Sequence, residues 1–457
     1  MSELPAGLAP AADVVPRSSA STIVLRQGPD GREVLLGVRS RKSRFMPGQW
    51  VFPGGVLEPQ DAGDFARCAA RELAEETGLV VDAPTLIPAG ERTTPAMFPV
   101  RFHTEFFVAQ VPSGGEEPAP PTDEIERLVF VRPGAIVERW ASGTCAIPPP
   151  VLSMLRALAS EIDEPIETIV ETLVAANAQE QRAPRIEFAP DIWMLPVRTM
   201  TMPPATTTNV WMPGGEKFVV IDPGSADPAE QARLLEVIGR RTALGHSVEA
   251  VLLTHEHQDH VAGVVELCAE LGVPLRAHEK TMSLSRFDRI EHRERLADGD
   301  LLDLDGLTLR ALHTPGHSPG HLAFEIVGRR TLIAGDLVSA ISTILIEPRT
   351  GSMADYLASL ERMRANGYRT LLPGHGPPIP ARALENLIDH RRRRETAVLD
   401  QLSDERAELG SIARGAYREL PDLPQKLIEL QTLSHLIDLE RRGAVRRVSD
   451  ERVWERI

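Results

Sequence analysis

The stretch VEAVLLTHEHQDH, residues 248–260, joins an apolar run to a cluster of metal-ligating side chains. VEAVLLT reads as a buried strand. Residues two apart on an extended chain point the same way, so His255 and His257 can address one ion. Asp259 and His260 sit where the chain turns into the next helix and can address a second. Neutral imidazoles with a carboxylate suit borderline divalent metals such as zinc.

One cluster cannot complete two coordination spheres. Further candidates are His317 in HTPGHSPGH (313–321), Asp336 at the end of TLIAGD (331–336) and His375 in LLPGHG (371–376). Each is a ligand-type residue exposed at a strand end by Gly or Pro neighbours. H-x-H-x-D-H followed by T-P-G-H, G-D and P-G-H-G resembles the metallo-β-lactamase superfamily over about residues 185–380. The resemblance implies an αββα sandwich. His255, His257 and His317 would hold a first ion, Asp259, His260 and His375 a second, and Asp336 would bridge them. The ions would be two zinc, or manganese or iron. Asp222 of VIDPGS would support the site and His321 would stand behind the ligands, with His313 and His278 structural. The implied chemistry is hydrolysis of an ester, thioester or phosphodiester by water that the metal acidifies and Asp259 orients. No Ser or Cys nucleophile is needed.

A second constellation lies in GGVLEPQDAGDFARCAARELAEETGL, residues 54–79. On a helix Glu72, Glu75 and Glu76 share a face. Three carboxylates together call for a hard cation, magnesium or manganese. Asp64 and Gly78 read as the helix's N-cap and stop. Gly54 and Gly55 let backbone carbonyls approach a metal, and Arg71 can anchor the loop. The pattern resembles the Nudix box, G-x5-E-x7-R-E-U-x-E-E-x-G-U with U apolar, within about residues 19–145. The resemblance implies an α/β/α fold cleaving a nucleoside-diphosphate-linked compound such as a coenzyme A derivative. Glu72 would be base or ligand, and Glu75, Glu76 and the Gly55 carbonyl would be metal ligands. The box departs from the pattern: its early Glu position falls on Asp61 and the stretch before Arg71 is too long, so Asp61 or Asp64 would substitute.

Residues 382–457 carry helical patterns, then GAVRRVSDERVWERI, which reads as Gly turn, strand, turn, strand. This resembles a winged helix. With TPGHSPGH it is similar to the β-lactamase-like protein 2 type, associated with single-stranded RNA cleavage, and to fungal thioesterases. The fold class is therefore α/β multidomain. It divides into a flexible tail (1–18), a Nudix domain with helical extension (19–183), a metallo-β-lactamase-like domain (184–381) and a winged-helix domain (382–457). Within these, strands are expected at 21–27 and 33–40 around Pro29-Asp30-Gly31, and helices at 150–178, 228–240, 260–271 and 353–365.

Two metal sites point to a hydrolase acting on a small phosphate or thioester substrate, with single-stranded RNA as an alternative. A ligand-sensing regulator that binds DNA is the other reading. The formal net charge of −15 over 457 residues weighs against duplex DNA. The run Arg391–Arg394 reads as a solvated helix face. Cys68, Cys145 and Cys268 form no C-x-x-C pair and read as small core residues of a cytoplasmic protein. The N-terminus lacks a basic segment followed by an apolar one, and no apolar run is long enough to span a membrane.

Overall fold

The computed structural model describes the chain except residues 1–13, 41–47, 96–97, 99, 115–117, 119–123, 183, 403–405 and 450–451. Most of the expected tail and much of the Pro/Gly loop at 112–124 thus lie outside the described residues. The chain forms two compact units, Asp13–Leu195 and the part from Pro196 to Ile457.

The first unit is built on β1 (Arg17–Gly28) and β2 (Gly31–Arg39), antiparallel across Pro29-Asp30 with Gly28 opposite Gly31. Then come β3 (Trp50–Val51), β4 (Gly54–Val56), α1 (Phe65–Thr77), β5 (Ile87–Thr93), β6 (Phe102–Val111) and β7 (Ile125–Val131). The sheet order is β3-β2-β1-β6-β5, with β4 on β1 and β7 on β2. Helices α2 (Pro133–Ala141), α3 (Pro149–Glu161) and α4 (Ile166–Arg182) follow. Alternation along β1 explains the layers. Ile23 and Leu25 face Trp140, Leu152, Leu155 and Leu173 of α2–α4. Ala20 and Val24 face Cys68, Ala69 and Leu73 of α1. Helix, sheet and helix therefore stack as the motif resemblance implies. Asp64 caps α1 by accepting from the Ala66 and Arg67 amides, and Gly78 ends it at φ 75°. Such a cap contributes about 1 kcal/mol.

A hairpin of β8 (Ile186–Ala189) and β9 (Ile192–Arg198) ends this stretch of chain. The second unit then lays down β10 (Thr207–Pro213), β11 (Lys217–Ile221), α5 (Pro228–Thr242) and β12 (Ser247–Leu252). After these come α6 (Gln258–Val261), α7 (Val264–Leu271), β13 (Leu275–Ala277), α8 (Glu279–Met282) and β14 (Arg293–Arg295). Their strands run in the order β14-β13-β12-β11-β10. A second sheet, β15 (Leu301–Asp303), β16 (Thr308–His313), β17 (Leu322–Ile326), β18 (Thr331–Gly335), β19 (Thr370–Pro373) and β20 (Ile379–Pro380), runs in sequence order, with α9 (Met353–Ala365) between β18 and β19. Every residue of β10 and β18 is buried, as expected of strands covered on both faces.

The helix expected over 260–271 is two helices, broken at Ala262-Gly263. A Cβ on Gly263 would stand 2.3 Å from the Ser225 carbonyl oxygen and 2.6 Å from that of Pro223. The chain bends there to let another backbone pass.

The last segment holds α10 (Ala383–Leu399), β21 (Ala407–Glu408), α11 (Leu409–Ala416), α12 (Gln425–Arg441), β22 (Val445–Ser449) and β23 (Val453–Arg456), its strands ordered β21-β23-β22. Trp454, Leu436, Leu439, Ile412 and Val398 form its core. The arginine run is not a solvated face. Arg391 and Arg394, three apart on α10, are buried, while Arg392 and Arg393 are exposed. Among the described residues no helix is long and apolar enough to cross a membrane.

Candidate metal centre

All seven candidate ligands of the second unit meet at one rim of the two sheets. His255, His257, Asp259 and His260 follow β12. His317 lies between β16 and β17, Asp336 follows β18 and His375 follows β19. Their ligand atoms form three groups, each within 4.8 Å: His255, His257 and His317; His255, His260 and Asp336; Asp259, His260 and His375.

Outward hydrogen bonds set the rings. Asp222, at φ 57° after β11, accepts from the Thr254 amide (2.8 Å) and from Thr254 Oγ1 (2.6 Å). Its Oδ2 also accepts a hydrogen bond from His260 Nδ1 (2.9 Å), which turns His260 Nε2 toward the site. Thr254 Oγ1 spends its proton on Asp222, so it accepts from His255 Nδ1 (3.0 Å) and frees His255 Nε2. His375 Nδ1 donates to Thr207 O (2.9 Å) and His317 Nδ1 to Leu345 O (2.8 Å). His321 is different. Its Nε2 accepts from the Asp336 amide (3.1 Å) and its Nδ1 donates to Thr314 Oγ1 (2.8 Å), so neither nitrogen is open. It orients the turn that carries Asp336.

The inner atoms crowd together. His255 Nε2 stands 3.0 Å from His257 Nδ1, and His260 Nε2 is 3.4 Å from His375 Nε2. Asp336 Oδ1 lies 3.4 Å from His375 Nε2 and 3.5 Å from His260 Nε2, and its Oδ2 lies 3.6 Å from His317 Nε2. His317 Nε2 and Asp336 Oδ1 are buried without a hydrogen-bond partner. Ligands about 2.1 Å from a tetrahedral zinc are about 3.4 Å apart. The spacing, the orphaned atoms and the nitrogen–carboxylate donor set all fit divalent cations. Gly374 leaves the room: a Cβ there would meet Asp336 Oδ1 at 2.5 Å and His260 Cε1 at 2.8 Å.

The protonation pattern follows from the same geometry. Burial, reinforced by the neighbouring imidazoles, holds His255 well below its usual pKa. Burial and His257 hold His317 down at about 4. Burial also opposes charge on His260, but Asp336, Asp259 and Asp222 outweigh it and raise that pKa well above normal. The same contest raises His375, with Asp336 the main opponent of burial.

In the first unit, Arg71 gathers the acidic groups. It forks onto Asp61 (2.9 and 2.8 Å) and reaches Glu72 Oε1 (2.8 Å) and Glu75 Oε2 (3.0 Å). Of the two acidic residues in the lengthened stretch, Asp61 is the one Arg71 grips, while Asp64 serves as cap. Glu76 turns inward and accepts from the Gly54 amide (2.9 Å). Burial lifts its pKa to about 7, against that hydrogen bond. Glu72 is raised as well, by burial first. Its carboxylate lies over Gly55, where a Cβ would be 2.3 Å away. Glu72, Glu75 and Glu76 are not drawn into a group as tight as those of the second unit: the corresponding group among the described residues here is Glu91, His103 and Glu105, on β5 and β6.

Residues 203–375 match the family model "Metallo-beta-lactamase superfamily", and residues 16–144 match "NUDIX domain". The chain carries both domains. Both place it among hydrolases. A Beta-lactamase-like protein 2 homolog from Drosophila melanogaster is 28% identical over 258 residues, 52% of this chain and 84% of that protein. An Atrochrysone carboxyl ACP thioesterase from Aspergillus terreus is 30% identical over 210 residues, 45% of this chain and 62% of that protein. A solved Beta-lactamase domain protein from Burkholderia ambifaria shares the fold at 21% identity and a TM-score of 0.53, over 60% of this chain and 94% of that one. Sequence reading missed some groups that position candidate ligands in the metallo-beta-lactamase domain. They include the carbonyls of Thr207 and Leu345, and Asn209 of β10, whose side chain donates to Pro373 O (2.9 Å) and Gly376 O (2.8 Å) around His375. Carbonyl acceptors leave no trace in residue type.

Proposed function

We propose that the chain is a metal-dependent hydrolase with a dinuclear centre. In this reading His255, His257 and His317 would hold one ion, Asp259, His260 and His375 would hold a second, and Asp336 would serve both. The carrying observation is that the outer ring nitrogens of His255, His260, His317 and His375 are bonded away from the site while their inner nitrogens converge. Zinc, manganese or iron would each suit this donor set. A divalent ion bound there acidifies water from about 15.7 toward 7 and polarises a substrate oxygen. Asp222 and the Thr207 and Leu345 carbonyls fix ring orientation. Asp259, less buried than its partners, presents a carboxylate oxygen 3.4 Å from His375 Nε2. In this reading it receives a proton from the attacking water and keeps that water aimed.

The substrate bond is an ester, thioester or phosphodiester. The name of the fungal relative favours the thioester. The NUDIX domain is read as a magnesium- or manganese-dependent diphosphatase with Glu72 as base or ligand, Glu75, Glu76 and the Gly55 carbonyl as ligands, and a nucleoside-diphosphate-linked substrate. The segment from residue 382 is read as a winged-helix module, and the boundaries near residues 184 and 382 belong to the same reading.

The test is a hydrolysis panel of acyl thioesters, aryl esters, phosphodiesters including single-stranded RNA, and dinucleotide diphosphates. It would use protein loaded with zinc or manganese, beside Asp336→Ala. Thioester hydrolysis lost in Asp336→Ala supports the reading. Loaded protein inert across the whole panel sinks it.

A further inference from the structure

We propose that the C-terminal helices set the position of His317, with Arg391 of α10 and Ser434 of α12 as positioning residues for the metal centre. The proposal rests on the dinuclear reading above and extends it to residues outside the matched domain. Three successive carbonyls carry the argument. Ile344 O accepts from Arg391 Nη2, Leu345 O accepts from His317 Nδ1 at 2.8 Å, and Ile346 O accepts from Ser434 Oγ at 2.5 Å. The middle carbonyl fixes the ring, and its two neighbours are gripped from the C-terminal helices.

The segment needs such a grip. Residues 343–347 belong to neither helix nor strand, so no ladder of backbone bonds sets the height of the Leu345 carbonyl. The grips themselves are rigid. Arg391 is 1% exposed and Ser434 4% exposed. Arg391 Nη1 also donates to Gln431 Oε1 (2.7 Å), which ties α10 to α12. Its guanidinium lies 5.2 Å from the ring centre of Tyr356, whose hydroxyl donates to Leu337 O (2.9 Å) just after Asp336. A shift of Leu345 O by a few tenths of an ångström would swing the His317 ring about its one outward bond. Its inner nitrogen, which has no other partner, would then leave the position shared with His255 and His257. The inward turn of Arg391 in a run that looks solvent-facing has a use in this arrangement.

The experiment compares full-length wild type with Ser434→Ala, Arg391→Met, and Arg393→Met as an exposed control. Each is loaded with zinc, counted for bound metal, and followed as zinc passes to a chromogenic chelator. Wild type and Arg393→Met should each hold two ions. Ser434→Ala and Arg391→Met should release one ion about tenfold faster, the scale of losing a residue that orients a ligand, and the other at the wild-type rate. In a His317→Ala background the same substitutions should add nothing. If both variants release both ions at wild-type rates, or speed both equally, the positioning role is refuted. If Arg391→Met does not fold, Ser434→Ala decides, because it deletes a single hydroxyl. If wild type itself binds no zinc, the dinuclear reading has failed and the proposal falls with it. That result is distinct from a wild type holding two ions beside unaffected variants.

Discussion

Asp222→Asn tests how far the centre depends on a carboxylate that holds a candidate ligand without being one itself. The residue is 1% exposed and receives three donors: the Thr254 amide, the Thr254 hydroxyl and His260 Nδ1. Asparagine has nearly the same shape and tolerates the left-handed φ of 57°, so the backbone can stay in place. Its amide oxygen can keep the Thr254 amide. Its NH2 then faces His260 Nδ1, two donors head to head. The ring escapes by moving its proton to Nε2, the atom 3.4 Å from His375 Nε2. That atom can then no longer donate a lone pair to a cation. Loss of one charge-assisted hydrogen bond is worth about 1.5–3 kcal/mol. Removal of such an orienting group costs about 10–100-fold in metal affinity, or about 1.4–2.7 kcal/mol. The two routes to the figure agree. Zinc affinity measured by chelator competition should fall by that factor, with the metal-free variant also melting earlier. An Asp222→Asn protein that takes up both ions with wild-type affinity would refute the tautomer argument.

Gly55→Ala should abolish magnesium-dependent diphosphate hydrolysis with little change in melting temperature. The added carbon meets the movable Glu72 carboxylate at 2.3 Å rather than fixed backbone, and wild-type turnover in a diphosphatase assay would contradict this. Glu76 carries a pKa near 7 because burial disfavours its charge; its folded value lies above its unfolded value of 4.5. Its stabilising contribution is thus complete below 4.5 and is lost as pH rises through about 7. Glu76→Gln should therefore melt higher than wild type at pH 8 without metal, by calorimetry, and equal melting temperatures would count against it. Trp454→Ala, at a fully buried side chain, should cost about 3–5 kcal/mol, read as early urea unfolding of the C-terminal helices by hydrogen exchange. Unchanged protection there would show that the module has another core.

Much of this was readable from residue order. Helix α9 spans Met353–Ala365, as its pattern predicts, and Asp64 and Gly78 bracket α1. These features are local: caps, Gly stops and apolar periods act within a few residues. The candidate ligands were legible for a related reason, since each is a His or Asp near a strand end, four in one cluster after β12 and three directly after a Gly. What escaped depends on distant chain. Gly263 breaks a helix because the backbone at Pro223 and Ser225 passes beside it. Arg391 and Arg394 looked solvated because four successive arginines hide a spacing of three, and only packing decides which pair turns inward. The choice between Asp61 and Asp64 needed the Arg71 fork. Strand β21 covers two residues and pairs with β23, far along the chain. Nothing in Ala407-Glu408 announces that.

Each of the three ligand groups draws on both sheets: β12 supplies two members, and the loops after β16, β18 or β19 supply the third. A cation seated there would act as a clasp across the open mouth of the sandwich, and part of its binding energy would be adhesion between the layers. Metal scarcity would then show itself as softness before it showed as lost turnover, with proteases finding the 253–257 and 314–321 loops first. Cellular metal supply would set how long the chain survives as well as how fast it works.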